Sequence, residues 1–439
     1  MEGFCHRSVS PGYDDGMNLR PVVTSLISLA LLGPLCAQDW PAFRGPAGDG
    51  IAAAKSAPER WTATTNVKWK VPLARPANGS PIIVKGKVFL TMAGDEDGKR
   101  RGLHCYDAVT GKELWVRTAE FGQRMPTHKT NPYCGTTPVS DGTRVVVWHS
   151  SAGLWCYDLD GKQLWKRNLG EFRHEWGYGT SPVLHDGKVI LNSGPGTRPF
   201  VAAFDLETGK TIWKTDEPDR RSEAQRKKKR LVGSWSTPVI ARVGAGYQII
   251  CPQPTRIVGY DPATGAVVWT CGGMSCAKGD LAYSSPIIAR GVCMVRAGYA
   301  GPSIGVRLGG GGDVTGTHRA WRHAKQKSNV GSGVFVDGHV YMPDSDSFVS
   351  CIDTKTGERI WTERAGRGPC WGSIVYAAGR LYLMNQRGDT VVFRPNGKKL
   401  DVIATNSLGE RTNSTPVFAD GDLFIRTHAH LYRIGGKKP

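Results

Sequence analysis

The sequence predicts an all-β chain folded as an eight-bladed β-propeller, and three observations predict it. A strand-opening step recurs eight times along the chain. Each copy is followed by a glycine turn and then, in most copies, by an Asp-containing turn closed by a tryptophan. The composition, with 56 glycines and 14 tryptophans in 439 residues, suits many short strands joined by tight turns.

The opening step is Ser or Thr before Pro, followed by β-branched residues. It occurs at Ser80, Thr137, Ser181, Thr237, Ser285 and Thr415, and without the proline at Ser332-Gly333 and Ser373-Ile374. Spacings run from 41 residues (332 to 373) to 57 (80 to 137), the period of a repeat architecture. A glycine step follows a few residues later, as in Lys85-Gly86, Asp186-Gly187 and Asp337-Gly338. Between apolar runs such a step predicts a hairpin, because glycine tolerates the positive φ that the turn needs.

The closing unit is clearest in Ala203-Phe204-Asp205-Leu206-Glu207-Thr208-Gly209-Lys210-Thr211-Ile212-Trp213, with relatives ending in Trp115, Trp165, Trp269 and Trp361. Here the Asp caps the turn, the Thr-Gly reverses the chain, and the Trp packs between neighbouring sheets. Two hairpins per repeat give four-stranded antiparallel blades. The last repeat, from Thr415, lacks a closing strand, whereas an orphan strand around Trp69 precedes the first. This N-terminal strand is therefore expected to complete the last blade and hide two free sheet edges. Cys105, Cys156 and Cys351 stand two residues before a turn aspartate, where other copies have Ala203 and Gly259. That slot calls for a small residue, so these thiols read as buried and unreactive.

The Ala-x-Asp-x-x-Thr-Gly-x-x-x-Trp unit resembles the tryptophan-docking motif of the pyrroloquinoline-quinone-like repeat family. That family contains quinoprotein dehydrogenases and a non-catalytic branch, the BamB-like outer-membrane assembly lipoproteins. The segment Trp40 to Gly45 is similar to the opening of bacterial members. The resemblance implies the fold from residue 38 onward and leaves both enzymes and scaffolds open. It also implies, for an enzyme, a quinone held against a tryptophan, a calcium ion on carboxylate and amide oxygens, and an aspartate base. Many such enzymes carry two adjacent cysteines over the cofactor, a pair this chain lacks.

In a propeller the inter-blade loops gather around one mouth of the central channel. Here they supply His128, Tyr133, His174, Glu175, Trp176, Tyr178, Trp235, Asp280, Tyr283, Trp371 and Asn413 as candidate ligand- or partner-binding residues. Such convergent aromatic and polar groups suit a pocket, and equally a plug of the channel. No catalytic residue and no metal set is singled out. The reading is an exported, non-catalytic binding or assembly scaffold of the bacterial envelope, with no cofactor. The alternative is a quinone-dependent alcohol or sugar dehydrogenase using PQQ and calcium.

Residues 1–37 read as a secretory signal, with Met17 as a possible true start and Cys36 as the acylated residue of a lipoprotein alternative. Residues 38–439 read as one domain, with a basic insertion at 218–231. The net charge of +19 favours acidic partners. Behind an export signal, Arg226 to Arg230 point to an anionic surface rather than nucleic acid. Envelope or outer-membrane proteins are the expected partners of a periplasmic or outer-membrane-associated monomer. Cys271 and Cys276 are close enough in sequence for a local disulfide.

Overall fold

Short apolar runs punctuated by glycine turns become strands throughout. The computed structural model describes residues 39–196, 198–219 and 231–435. These form eight four-stranded antiparallel blades, two of which carry an added parallel strand. Blades one to seven span 82–120, 139–167, 183–216, 239–272, 287–323, 334–364 and 375–407. Blade eight takes three strands from 417–434 and its outermost from Val67–Pro72, antiparallel to His430–Ile434. The ring is thus closed by the N-terminal strand, as the repeat count predicts. Lys68 and Arg433 both bond Asp422 at this seam, at 2.7 and 2.6 Å.

The apolar core lies between blades rather than within one layer. The faces of blades one and two meet through Ile82, Phe89, Leu103, Val145, Val147 and Tyr157, and blades three and four meet in the same way. At the outer rim six of the seven closing tryptophans grip the next blade, Trp269 being the exception. The indoles of Trp69, Trp115, Trp165, Trp213, Trp321 and Trp361 donate to carbonyls of Ala108, Leu159, Leu206, Pro262, Thr354 and Asn396, at 2.9–3.3 Å. The turn glycine lies under the ring: a Cβ on Gly209 would sit 2.6 Å from Trp165, and one on Gly265 2.3 Å from Trp213. The small slot is explained by pairing, since Cys105, Cys156, Ala203, Gly259 and Cys351 each stand across from their blade's own tryptophan. Burial pushes the Cys105 and Cys156 thiols up to about 12.

The turn aspartates cap as expected. Asp205 Oδ1 accepts from the Thr208 hydroxyl and backbone N–H at 2.6 and 2.7 Å, and these donors hold its carboxyl below the usual range. The Gly309–Gly312 turn departs from this pattern. It reaches across to blade four, where Gly312–Asp313 lies parallel to Trp269–Thr270. With no capped turn to grip, Trp269 donates to Gln248 of its own blade instead, at 2.8 Å. Three of these glycines, Gly309, Gly310 and Gly312, have positive φ, and a Cβ on Gly310 would also lie 2.7 Å from His318, which accounts for those three positions. Among the described residues no cysteine is bridged; Cys271 is buried and Cys276 half-buried, without the disulfide their spacing allowed.

The segment 39–52 crosses the far end of the channel as a strap. Trp40 exchanges backbone bonds with Ile83 of blade one, and the Pro41 carbonyl accepts from Ser140 of blade two. Buried Arg44 donates to the carbonyls of Gly333 and Asp49 at 2.5 and 2.7 Å, and Ile51–Ala52 pairs with blade seven. Burial lowers the Arg44 guanidinium to about 10, still cationic at neutral pH. Blade six opens with glycine rather than proline because a Cβ on Gly333 would meet the Tyr341 carbonyl at 2.4 Å.

Candidate functional site

The strand-opening hydroxyls do more than begin strands. All but that of Ser285 accept the backbone N–H of the equivalent residue in the preceding blade: Thr137 from Ser80, Ser181 from Thr137, Thr237 from Ser181, Ser332 from Ser285, Ser373 from Ser332, Thr415 from Ser373, and Ser80 from Thr415. Seven of the eight junctions share this bond at 2.9–3.1 Å, so a hydroxyl belt runs around the channel. A Ser or Thr is required because its side chain must satisfy a buried amide and still fit the narrow axis.

Above this belt lies a cavity of about 380 Å³, within the roughly 300–1,000 Å³ range of ligand sites. All eight hydroxyl residues border it, together with Phe43 of the strap. One side is aromatic. Trp235 lies edge-on to Tyr283 at 5.5 Å, and Tyr283 to Tyr299 at 6.0 Å. His174 supports Trp235 from behind at 4.9 Å, and His128 packs on Trp176 at 4.0 Å with the rings tilted by 31°. Burial lowers the His174 ring, and its Nδ1 accepts the Trp176 amide at 3.2 Å, consistent with a neutral imidazole.

The other side is built from amides. Asn131 donates to the Trp176 carbonyl at 2.7 Å and accepts from Asn78 at 3.1 Å. Asn78 and Asn413 both donate to the Thr130 carbonyl, each at 2.9 Å, which knits the loops of blades eight, one and two. Asn329 is 1% exposed, and its amide oxygen has no hydrogen-bond partner; neither does that of Asn413.

Of the residues singled out by sequence, Trp176, Trp235, Tyr283, Trp371 and Asn413 line the cavity. His128 and His174 stand behind it. Tyr133 and Tyr178 border a separate crevice of about 20 Å³; the Tyr133 hydroxyl donates to the Met125 carbonyl at 2.6 Å. Glu175 is exposed, and Asp280 is fully buried in a strand, Gly279–Ala282, that pairs with Leu231–Ser234. Neither carboxylate borders the cavity. Sequence reasoning missed Phe43, Asn78, Asn131, Tyr299, Asn329 and the belt. Only the belt left a signal, in the recurrence of hydroxyl residues at the opening step.

The side chains bordering the cavity are aromatic, amide, hydroxyl or aliphatic, with no acid, base or histidine among them. No cluster of three His, Cys, Asp or Glu suited to a metal occurs among the described residues.

Fold and site together define a closed β-propeller with an uncharged, aromatic-walled cavity on its axis. A family model described as outer membrane protein assembly factor BamB matches residues 100–363 and 313–434. The chain belongs to this family of PQQ-like propellers. It is 28% identical over 244 residues to the dehydrogenase subunit of a quinone-dependent alcohol dehydrogenase from Gluconacetobacter polyoxogenes, a match covering 49% of this chain and 31% of that one. It is 22% identical over 305 residues to the assembly factor BamB of Yersinia pestis, covering 67% and 72%. The structure of a europium-containing methanol dehydrogenase superposes with a TM-score of 0.66 at 12% identity, over 91% of this chain and 98% of that one, a likeness of fold. The chain thus spans about a third of the alcohol dehydrogenase it matches, and much more of BamB. Quinone-dependent enzymes are prominent among the relatives, so the comparisons favour the dehydrogenase alternative more than the scaffold reading drawn from sequence.

Proposed function

We propose that this protein is a non-catalytic binding propeller of the cell envelope, with the channel-mouth cavity as its ligand- or partner-binding surface. One observation carries the reading: the cavity offers apolar faces and neutral hydrogen-bonding groups, and its only titratable side chains are the phenols of Tyr283 and Tyr299, with no carboxylate, histidine, lysine or arginine. Acid–base catalysis is best served by a group that titrates near the working pH within hydrogen-bond reach of the substrate, and burial pushes the Tyr283 phenol up, away from neutral pH. The family implies PQQ, a polycarboxylate quinone, with calcium. The residues present do not fit that group. No lining cation would meet its carboxylates, and of Glu175, Asp280 and Asn413, the loop side chains able to offer oxygen ligands, only the neutral Asn413 borders the cavity. Burying unpaired charges in such a site is costly.

The second reading, a quinone-dependent dehydrogenase, is supported by the prominence of such enzymes among the relatives. Titration of the full chain with PQQ and calcium, followed by dye reduction with alcohols and sugars, separates the two. The binding reading expects neither stoichiometric quinone uptake nor turnover; calcium-dependent turnover would overturn it.

Export through residues 1–37, periplasmic or outer-membrane residence and envelope-protein partners belong to this proposal. Envelope residence and envelope-protein partners draw support from the BamB relatives. The signal segment and the basic run Arg226 to Arg230 lie outside the described residues. Replacing that run by serine is expected to leave the melting temperature unchanged and to weaken adsorption to anionic vesicles at low salt, where the Debye length is about 30 Å at 0.01 M. Equal adsorption by both proteins across a salt titration would remove the run as a contact.

A further inference from the structure

We infer that the channel-mouth cavity binds a neutral saccharide, as a free sugar or the end of a glycan chain. The inference rests on the binding reading above and names its ligand class. Three properties of the cavity converge on this chemistry.

The first is the juxtaposition of aromatic rings with polar groups. Trp235, Tyr283, Tyr299 and Trp371 border the same space as the hydroxyl belt. A pyranose matches that mixture because its C–H faces pack on the electron-rich face of an aromatic ring while its hydroxyls point sideways. The second is hydrogen-bond balance. The belt oxygens accept backbone N–H groups, and none is found donating, so their protons are uncommitted. The amide oxygens of Asn329 and Asn413 lack donors. The site therefore holds spare donors and spare acceptors together, and a sugar hydroxyl serves as both.

The third property is charge. Lys and Arg are abundant in this chain of net charge +19, yet none borders the cavity. An anionic ligand would find no counter-charge there and a cationic one no carboxylate. Shape sets the mode of binding. The strap crosses the far end and places Phe43 against the cavity, so the site is blind and takes a terminal ring rather than the middle of a polymer.

The test is calorimetric titration of the full chain with glucose, galactose, mannose, N-acetylglucosamine, maltose, cellobiose and chitobiose. Glucuronate, glucosamine and a proline-rich peptide serve as counter-probes. At least one neutral sugar is expected to saturate a single site. Trp371→Ala and, independently, Asn413→Ala are expected to weaken it about tenfold or more, the loss that about 1.4 kcal/mol represents, with the parent's circular dichroism spectrum and cooperative unfolding retained in both. Glucuronate is expected to bind about tenfold more weakly than its neutral counterpart, for the same conversion. Absence of binding by every neutral sugar, equal binding of the charged sugars, or saturation by the peptide instead would overturn the inference. If the sugars fail while Trp371→Ala still loses capture of an envelope protein, only the saccharide assignment falls. If a bound sugar is oxidised once PQQ and calcium are added, the non-catalytic reading itself falls.

Discussion

The outer rim and the axis of this propeller join the same blades by opposite means. At the rim, a tryptophan from one blade covers the turn glycine of the next and donates one hydrogen bond to its backbone. At the axis, the contact is a single hydroxyl accepting a backbone amide. The rim contact buries a large apolar surface, of the order of 150–250 Å² for an aromatic side chain. The axis contact satisfies a donor that would otherwise be orphaned, a net gain of only about 0.5–1.5 kcal/mol. The difference teaches where the ring gets its strength and where it can carry a ligand. The rim is closed and apolar, while the axis remains polar and open at one end.

The largest expected effect comes from breaking the rim at its seam. Deleting 62–72 removes both the last strand of blade eight and the Trp69 clamp onto blade one. The exposed edges should yield aggregated or unfolded protein. A soluble monomer with the parent melting temperature would show that the seam does not close the ring. Next, Trp213→Ala should cost about 3–5 kcal/mol in chemical denaturation, as removal of a buried tryptophan does. A loss below about 1 kcal/mol would place it among ordinary surface substitutions and refute the clamp.

Breaking the belt should cost less. Thr237→Val keeps the shape but removes the oxygen that accepts the buried Ser181 amide, so about 1–3 kcal/mol should be lost. An effect as large as that of Trp213→Ala would invert the comparison.

The last effect is absent at neutral pH and appears only on acidification. His149, in the loop after the second strand of blade two, is 3% exposed. Burial, with Arg101 and His104 nearby, pushes its ring down to about 3. Its folded pKa lies below the unfolded value of about 6.5, so the unfolded chain takes up the proton first. Its contribution is therefore complete above pH 6.5 and declines as pH falls from there towards 3, by at most about 1.4 kcal/mol per pH unit. His149→Gln should flatten that part of the stability profile. An unchanged acid slope would show that the histidine is not the group that titrates.

Legibility from sequence divides along the same line as rim and axis. The rim is written in local chemistry: an aspartate that caps, a glycine that reverses the chain, a small residue opposite a tryptophan. Each lies within about a dozen residues of its partners in the sequence, so the repeat, the blade count, the closing strand and the cysteine slots could be read by self-comparison. The same reading missed why blade five carries a glycine-rich turn, because that turn leads into a strand, Gly312–Asp313, that pairs with blade four.

The site was legible only in part. Sequence placed Trp176, Trp235, Tyr283, Trp371 and Asn413 in the loops of one mouth, and they do border one cavity. It also put forward Glu175 and Asp280, which face solvent and core respectively, since a loop residue's direction depends on packing against chains far away in sequence. By itself, the sequence determined the number of blades, the way the ring closes and the small residues beneath each tryptophan, because turn chemistry and strand period act over short distances. Only the tertiary structure decided that seven hydroxyls link the eight blade openings into one belt, that Phe43 lies beneath the mouth, and that no charge lines the cavity. Those facts arise when residues 41 to 57 positions apart are wrapped around a common axis, and no local pattern records which side chains will meet there.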